Sequence, residues 1–232
     1  MPTDTIAALL SRTELFGGLE SEELRACAER FHTMKFGKGE ILFARGDPGT
    51  HLYLVAEGRV RLATATSEGR ELSFRHAVSG DLFGELAALD GGTRSATATA
   101  LSPVTVYALE RTALRQLWST RPKVLNNIVA FLCRRLRETS SQLESIALYP
   151  MDVRLARLLL LALGKAQPAR GTRVSLELGF SQGELAQLLG ASRPKVNAAL
   201  GTLESAGAVK RTLDRLFCDP AKLAEIARRD DA

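Results

Sequence analysis

The apolar positions of this chain change their period several times along its length. Helical spacing occurs in residues 6–10 and 21–31, where apolar residues recur at intervals of three and four. Between residues 34 and 109 the pattern becomes short alternating runs, such as Leu-Tyr-Leu-Val at residues 52–55, separated by glycines. This region is therefore predicted to form a small antiparallel barrel or two-sheet roll, with the opening helices covering one end.

A long helix is predicted after the roll, following a short helix over residues 111–118. Pro122 suits a helix start, and no breaker follows until Pro150. An alternating three-four spacing is shared by Val129, Leu132, Leu136, Leu143 and Ile146. Thr139 takes the remaining position of this stripe. The length of the stripe predicts that it forms the contact between two parallel helices of a two-fold dimer. The alternative is that the stripe packs on the roll.

Beyond Pro150 the sequence pattern predicts a helix followed by a loop. Residues 151–163 form a leucine-rich helix that ends near Gly164, with Arg154 and Arg157 exposed, and residues 167–173 form a loop.

Two short helices across a glycine turn are predicted next. Residues 181–184 read Ser-Gln-Gly-Glu, a capping box that opens one helix. Gly190 ends that helix, and Ser192 caps the next one. The second helix has a buried stripe formed by Val196, Ala199, Leu200 and Leu203. With strand-like segments at 208–211 and 216–218, the pattern predicts a winged helix-turn-helix.

These breaks divide the chain into three parts. Residues 1–120 form the β-roll domain, residues 121–149 the long helix, and residues 150–232 the helix-turn-helix domain, with a hinge at residues 145–152. The expected fold class is α+β. A length of 232 residues with 45% hydrophobic and 25% charged residues agrees with more than one globular domain.

The net charge of +5 is concentrated in the C-terminal part. Residues 151–232 hold 13 Lys and Arg against 9 Asp and Glu, which gives +4, whereas residues 1–150 hold 18 against 17, which gives +1. A modest basic excess agrees with a nucleic-acid partner and argues against an acidic one, although a solvated basic face is the alternative.

Cysteine usage and hydropathy exclude several classes of protein. Cys27, Cys133 and Cys218 are isolated, which argues against disulfides and zinc sites, and they are expected to be small buried residues. The apolar run at 155–163 is too short for a membrane span, and residues 1–4 lack the basic start of a signal peptide. A cytoplasmic protein is therefore expected.

The chemistry of the chain is concentrated in residues 83–97. Gly84 permits close backbone approach, and the amides of the helical turn that follows suit a phosphate. Arg94 adds a fork of donors for bidentate phosphate binding, with Ser95 beside it. Glu85 can accept hydrogen bonds from a ribose hydroxyl, so the groups together describe a nucleoside phosphate. The alternative is a salt bridge between Glu85 and Arg94 that closes an ordinary loop.

The same stretch resembles the phosphate-binding cassette of the cyclic-nucleotide-binding domains, which reads FGE(L/I)A…R(S/A/T)A. Residues 83–96 match it nearly throughout. By this resemblance the ligand site includes Leu86 and Ala87 as well as the residues above. Ala87 stands where some bacterial members have glycine, a mild departure.

Residues 134–140 read Arg-Arg-Leu-Arg-Glu-Thr-Ser, which resembles the cyclic-AMP-responsive branch of the cyclic-AMP receptor protein / fumarate-nitrate regulator (Crp-Fnr) family. The resemblance implies that Thr139 binds the adenine amino group within one subunit and that Ser140 reaches it from the other, with Arg135 in the same site. From the sequence alone, Thr139 could instead be a polar residue that sets the helix register.

The helix-turn-helix predicts the DNA contacts. Arg193 matches the family's Ser-Arg pair and can grip guanine, and Asn197 can read adenine. Phosphate contacts are expected from Lys195, Lys210 and Arg211. The DNA-facing set also includes Ser181, Gln182 and Ser192. Pro194 and Ala198 replace a glutamate and an arginine that contact bases in the cyclic-AMP-responsive branch, so its operator cannot be transferred.

The expected function is a homodimeric, allosteric transcription regulator that binds cyclic AMP and needs no metal, with cyclic GMP as the other candidate ligand and RNA polymerase as an expected partner. One alternative is the same architecture sensing haem, through His32, His51 or His76, or a redox signal, or acting without an effector. An enzyme is the other alternative, but no metal-ligand cluster, Ser-His-Asp set or carboxylate pair accompanies the phosphate site.

Overall fold

A computed structural model of the chain describes residues 2–68, 71–164, 173–176, 182–212 and 215–228. The chain falls into two compact units, Met1–Arg137 and Glu138–Ala232. Their border lies inside the long helix rather than in a loop. The three-part division at residues 120 and 149 stays a prediction.

The helices of the first unit agree with most of the predicted positions. They are α1 (Pro2–Leu10), α2 (Ser21–Ala28), α3 (Glu85–Asp90), α4 (Arg111–Thr120) and the start of α5 (Pro122–Leu148). The helix predicted over residues 21–31 was wrong at its end, because α2 stops at Ala28. Phe31 instead opens the first strand and pairs with Leu109, so sheet pairing overrides the helical spacing at that position.

The predicted roll is confirmed. Its strands are β1 (Phe31–Phe36), β2 (Ile41–Phe43), β3 (His51–Glu57), β4 (Val60–Ala65), β5 (Glu71–Ala77), β6 (Leu82–Phe83), β7 (Thr97–Ala100) and β8 (Val104–Glu110). Within the described residues they form two antiparallel sheets in the orders β1-β8-β3-β6 and β2-β7-β4-β5. The fold class is therefore α+β, and the inner faces of the sheets enclose a core that includes Val55, Val60 and Val106.

The N-terminal helices cover one side of the roll, as predicted. Leu10 and Phe16 are fully buried with Leu52 of β3 and Leu114 of α4. The start of α5 joins this layer, because the side-chain amide of Asn127 donates to the carbonyl oxygens of the loop residues Leu15 and Gly17, each at 3.1 Å. This layer holds α5 against the roll from its first turns.

The predicted start and end of α5 are confirmed, and its apolar stripe is largely exposed. Leu136 and Leu143 are 68% and 67% exposed, and Val129 and Ile146 are also exposed. Leu132 is half-buried against the N-terminal layer. Packing on the roll therefore accounts for only part of the stripe, and the rest is an apolar face without cover in the described part of the chain.

The second unit contains the rest of α5, α6 (Met151–Leu163), α7 (Gln182–Leu188), α8 (Arg193–Ser205) and α9 (Pro220–Ala227). Its strands, β9 (Val174–Leu176), β10 (Val209–Arg211) and β11 (Leu216–Cys218), form an antiparallel sheet in the order β10-β11-β9. The helix-turn-helix and the two wing strands are confirmed. Strand β9 was not predicted, because three residues are too few to establish a period. Ser181 and residues 167–172 of the predicted loop lie outside the described residues.

Two arginines predicted to be exposed on α6 are half-buried and bonded instead. Arg154 donates to the carbonyl oxygen of Leu189. Arg157 donates through Nε to the carbonyl oxygen of Ala227 at 3.0 Å and stacks on the ring of Tyr149 at 3.6 Å. Both guanidiniums satisfy carbonyl groups at helix ends, which would otherwise have no intrahelical partner.

The cysteines follow the prediction in two of three positions. Cys27 and Cys218 are buried, and burial raises the pKa of the Cys218 thiol to about 11, so this thiol is unreactive at neutral pH. Cys133 is exposed on α5, so its predicted burial was wrong. No helix among the described residues is both long and apolar enough to cross a membrane.

Candidate functional site

The turn between β6 and α3 depends on Gly84. This residue has φ +75°, in the left-handed region that favours glycine. A Cβ placed on Gly84 would lie 2.6 Å from an arginine nitrogen of Arg94 and 3.3 Å from the ring of Tyr53. The side chains of Arg94 and Tyr53 therefore already occupy the space beside Gly84 in which a ligand was predicted to approach the backbone.

Arg94 lies almost completely buried under this turn, with only 3% of its surface exposed. Its guanidinium donates to the carbonyl oxygen of Gly84 at 2.9 Å, and its Cζ lies 4.2 Å above the centre of the Phe43 ring. Its backbone is fixed as well, because its amide donates to the carbonyl oxygen of Asp47 at 2.8 Å. The side chain is thus held by the backbone, a carbonyl and an aromatic face.

Three stacked rings form a floor beneath Arg94, which we call the aromatic floor (Phe43, Tyr53 and Phe83). The Tyr53 and Phe83 rings are nearly parallel at 5.2 Å, and the Phe43 and Tyr53 rings lie 5.7 Å apart. Aromatic faces attract a guanidinium and exclude water from beneath it. The floor was not found in the sequence, where Tyr53 appeared only as one apolar residue of an alternating run.

The guanidinium of Arg94 has no carboxylate partner in the part of the chain that the structure describes. Among the described residues, none forms an ion pair with Arg94, and its Nε is buried without a hydrogen-bond partner. Burial lowers the pKa of Arg94, yet a guanidinium remains protonated at neutral pH. A buried cation without a counter-ion is energetically costly, so the arrangement suits an anionic ligand.

Glu85 does not close the loop by a salt bridge to Arg94. It is half-buried at the first position of α3, and the structure contains no ion pair between the two side chains. Burial raises the pKa of the Glu85 carboxyl, while its own backbone hydrogen bond and the charges of Arg75 and Arg94 oppose the increase. The alternative of an internal salt bridge is therefore wrong, and both side chains remain available for a ligand.

The remaining cassette residues differ in exposure. Leu86 and Ser95 are exposed, whereas Ala87 is buried. The methyl group of Ala87 faces Gly49, where a Cβ would lie 1.9 Å from it. Ala87 therefore packs against the neighbouring loop, and only its backbone remains as a candidate contact to a ligand.

The candidate residues on α5 belong to different units. Arg135 is half-buried in the first unit, stacks on Phe131 at 4.9 Å and lines a cavity of about 330 Å³ together with Arg75. Thr139 and Ser140 occupy exposed positions of α5 in the second unit. Their predicted contacts with a base stay a prediction.

The exposed face of α8 carries the predicted base contacts. Arg193, Lys195 and Asn197 are exposed, while Val196 and Ala199 between and after them are buried. Arg193 and Asn197 are four residues apart and so share one face of the helix. This alternation leaves the polar side chains of the second helix of the motif accessible.

Candidate DNA contacts also lie at the starts of α7 and α8. Ser192 is the N-cap residue of α8, but its side chain accepts no cap hydrogen bond, so that part of the prediction was wrong. Arg193 folds over Gly183, where a Cβ would lie 2.7 Å from its guanidinium. Gln182 begins α7, its side chain lies outside the described part of the chain, and Ser181 is likewise outside it.

The wing contains two adjacent basic residues, and one of them forms an ion pair. Lys210 is exposed, whereas Arg211 donates to the carboxylate of Glu204 from Nε at 2.9 Å and from a second nitrogen at 2.5 Å. The hydrogen bond from Arg211 holds the pKa of Glu204 below its ordinary value. Lys210 is therefore the freer candidate for a phosphate contact.

Together, an anion-suited site in an antiparallel roll and a winged helix-turn-helix define a ligand-responsive, DNA-binding regulator. The family model described as cyclic nucleotide-binding domain matches residues 33–121, and the Crp-like helix-turn-helix domain matches residues 153–226.

Individual relatives agree with this class. The CRP-like cAMP-activated global transcriptional regulator of Mycobacterium tuberculosis is 31% identical over 221 residues, which cover 95% of this chain and 99% of that protein. The cyclic AMP receptor protein of Thermus thermophilus is 35% identical over 196 residues, 84% of this chain and 88% of that protein. The structure of FixK2 from Bradyrhizobium japonicum has a TM-score of 0.74 over 87% of this chain and 98% of its own, and at 21% identity it supports the fold.

The chain belongs to the Crp-Fnr family of bacterial transcription regulators. It is a cyclic nucleotide-binding, DNA-binding regulator rather than an enzyme.

Proposed function

We propose that this regulator responds to cyclic AMP and acts on its DNA operator as a homodimer. The observation that carries the proposal is the buried guanidinium of Arg94, which has no carboxylate partner within the described residues and lies under the glycine turn of the cassette. A cyclic phosphate would supply the missing negative charge. The names of both relatives above contain cyclic AMP, which supports that nucleotide as the effector.

Each part of the nucleotide has a candidate partner. Arg94 and Ser95 would bind the cyclic phosphate, and the amides at the start of α3 would add neutral donors. Glu85 would accept a hydrogen bond from the ribose hydroxyl, because no cation among the described residues forms an ion pair with its carboxylate. Thr139 of one subunit and Ser140 of the other would meet the adenine, with Arg135 nearby in the sequence of α5.

The exposed apolar stripe of α5 supports the homodimer. Its apolar side chains repeat at the spacing of a parallel two-stranded coiled coil, and four of them are at least 40% exposed. A second copy of α5 would bury them. We further propose that the dimer works in the cytoplasm and contacts RNA polymerase, as the family's regulatory role implies.

The mechanism follows from the connection between α5 and α6. A nucleotide that contacts the cassette and the Thr139–Ser140 step would favour one register of the two long helices. The break at Pro150 separates α5 from the helix-turn-helix, so residues 145–152 would act as the hinge. The nucleotide can change DNA affinity only by its different affinities for the two arrangements, and such couplings are typically about 1–3 kcal/mol.

Haem is the alternative effector with a structural feature to examine. The rings of His32 and His51 meet edge to face at 5.3 Å. Burial, and then the charge of His32, lowers the pKa of His51, and its Nδ1 lies 2.8 Å from the hydroxyl of Thr50. In the described part of the chain, no group of three or more metal-ligating side chains accompanies this pair. The buried guanidinium of Arg94 in the cassette favours a nucleotide as the effector.

Calorimetry with cyclic AMP, cyclic GMP and AMP tests the effector, and gel-shift titration with each nucleotide tests the response. We expect cyclic AMP to bind and to raise operator affinity, and AMP to fail because it lacks the cyclic phosphate. Arg115→Ala, an exposed arginine on α4, serves as the control for a general charge effect. Operator affinity that is identical with and without every cyclic nucleotide would overturn the proposal.

A further inference from the structure

Arg75 is a half-buried residue of β5 that lies next to a β-bulge. Ser73 pairs with Ala63 and Arg75 with Leu62, so Phe74 is left unpaired between them. Ser73 is buried, Phe74 is exposed, and the side chain of Arg75 is only 23% exposed. The side chain of this arginine is therefore largely shielded from solvent, whereas arginines mostly lie exposed.

The guanidinium of Arg75 binds the strand that leads into the cassette. One of its terminal nitrogens donates to the carbonyl oxygen of Leu82 at 3.1 Å and lies 3.7 Å from a carboxylate oxygen of Asp81. Leu82 belongs to β6, which ends at Phe83 immediately before the Gly84 turn. Arg75 thus links β5 to the segment that positions Glu85.

The charge of Arg75 also acts on Glu85. Burial is the main influence on this carboxyl and raises its pKa; the groups that lower it are its own backbone hydrogen bond, Arg75 and Arg94, in decreasing order. Arg75 and Arg94 therefore both offset the charge of Glu85, although neither forms an ion pair with it. A cation held near an acceptor without contact favours ionisation and leaves the oxygens open.

We propose that Arg75 is a positioning residue of the nucleotide site, which fixes the strand before the cassette through Leu82 and offsets the charge of the Glu85 carboxylate that accepts the ribose hydroxyl. This inference rests on the proposed function for the role of Glu85. It assigns to Arg75 an effect that acts through Glu85 and requires no contact with the ligand.

A double-mutant cycle in ligand-free protein tests the link between the two residues. Arg75→Met and Glu85→Gln are made singly and together in the full chain, and melting temperatures are measured at neutral pH and at a pH below the range in which Glu85 ionises. At neutral pH we expect Arg75→Met to lower the melting temperature more in the wild-type background than with Glu85→Gln, and at acid pH equally in both. Equal losses in both backgrounds at both pH values would mean that Arg75 only holds Leu82, which would overturn the proposal.

Arg61→Met is the matched control. Arg61 lies on the adjacent strand β4, binds Glu71 at 2.9 Å and is 19% exposed, close to the value for Arg75. The decrease in melting temperature caused by Arg61→Met should be the same with and without Glu85→Gln. A dependence as large as that of Arg75→Met would show a general charge effect on the roll and would also overturn the proposal.

Calorimetry with cyclic AMP tests the consequence for the ligand. We expect Arg75→Met to weaken binding several-fold and to shift the acid loss of affinity to higher pH. Arg75→Lys should restore the position of the acid loss because it restores the charge. Wild-type affinity in Arg75→Met at every pH would overturn the inference. Failure of the wild-type protein to bind any cyclic nucleotide would overturn the proposed function instead, while the cycle would still decide whether Arg75 acts on Glu85.

Discussion

Arg94 donates to the carbonyl oxygen of Gly84, ten residues earlier, at 2.9 Å, and the same glycine has no space for a side chain beneath that guanidinium. The two residues therefore require each other. A side chain at position 84 would displace the cation, and loss of the cation would leave the glycine turn without its donor. Because this hydrogen bond joins Gly84 to Arg94, their ten-residue spacing in the sequence indicates that they belong to one site.

Arg94→Ala should abolish measurable cyclic-nucleotide binding and the nucleotide-dependent gain in DNA affinity. The substitution removes the buried cation that suits the phosphate, and charge-assisted hydrogen bonds are the strong ones in such a site. Arg94 forms no ion pair among the described residues, so its removal breaks none and we expect the protein to remain folded.

Calorimetry checks the binding, and circular dichroism melting checks the fold. Arg115→Ala, on the exposed face of α4, should bind as the wild-type protein does. A folded Arg94→Ala protein with unchanged affinity would show that the cassette is not the nucleotide site.

Glu85→Gln should weaken nucleotide binding and raise the stability of the ligand-free protein at neutral pH. Burial raises the pKa of Glu85 in the folded state, so the carboxyl binds its proton more tightly in the folded than in the unfolded chain. Ionisation of Glu85 therefore costs stability, and this cost appears as the pH rises from the unfolded pKa through the folded one. Below the unfolded pKa the cost is absent.

Thermal melts of both proteins over a pH series check this sign. The melting temperature of the wild-type protein should approach that of Glu85→Gln as the pH falls through the glutamate range. If Glu85→Gln were instead less stable than the wild type at neutral pH by a margin that vanishes in acid, the pKa would be lowered by folding, contrary to our expectation.

The DNA contacts should separate by salt dependence and by base preference. Lys210→Ala should reduce the slope of log affinity against log salt by about one unit, because an exposed lysine suits a phosphate contact. Arg211→Ala should change the slope less, since Arg211 already binds Glu204. Arg193→Ala should relax the preference at one operator position.

Filter binding over a salt series and selection from a randomised operator library provide these measurements. Arg193 is exposed at the start of α8, with its guanidinium close to Gly183 of α7. An unchanged base preference in Arg193→Ala, together with a reduced salt slope, would assign Arg193 to the phosphates.

The sequence predicted the order of elements because each long element has a clear period or a clear stop. Pro122 and Pro150 bracket α5, and Gly190, with φ +59°, forms the turn between α7 and α8. The cassette was identifiable because its chemistry lies within one short stretch of chain. The three-residue strands β10 and β11 were predicted because they follow the helix-turn-helix, whereas β9 lacks such a context and offers too few positions to show a period.

The parts of the site that the sequence did not predict depend on long-range packing. Phe43, Tyr53 and Phe83 come from three strands, and nothing in their separate patterns indicates that they stack beneath one arginine. Arg75 of β5 donates to the carbonyl oxygen of Leu82 on β6, a contact between strands that a single strand pattern does not reveal. Burial of Arg154 also follows from tertiary contacts, since its guanidinium meets a helix end 35 residues away.

Thr139→Ala should separate nucleotide binding from the DNA response. Thr139 lies at a polar step of an otherwise apolar stripe on α5, between Leu136 and Leu143. A threonine hydroxyl can accept from the adenine amino group or rotate to donate to guanine O6, so it discriminates the two bases only modestly. Binding through Arg94 and Glu85 should therefore persist in the variant. The cyclic-AMP-dependent gain in operator affinity should largely disappear, because that gain requires the base to engage both subunits and so to hold one helix register.

Calorimetry and gel-shift titrations with cyclic AMP and cyclic GMP, carried out on the same preparations, measure the two properties separately. Ser141→Ala, at an exposed position of α5 outside the stripe, should keep both binding and response and so serves as the matched control. If the Thr139→Ala dimer were still fully activated by cyclic AMP, the residues at 134–140 would contribute helix packing alone, and the base would be recognised elsewhere. If Thr139→Ala lost binding and response together, the hydroxyl would be part of the affinity of the site, and the register of the helices would not be set by a separate contact to the base.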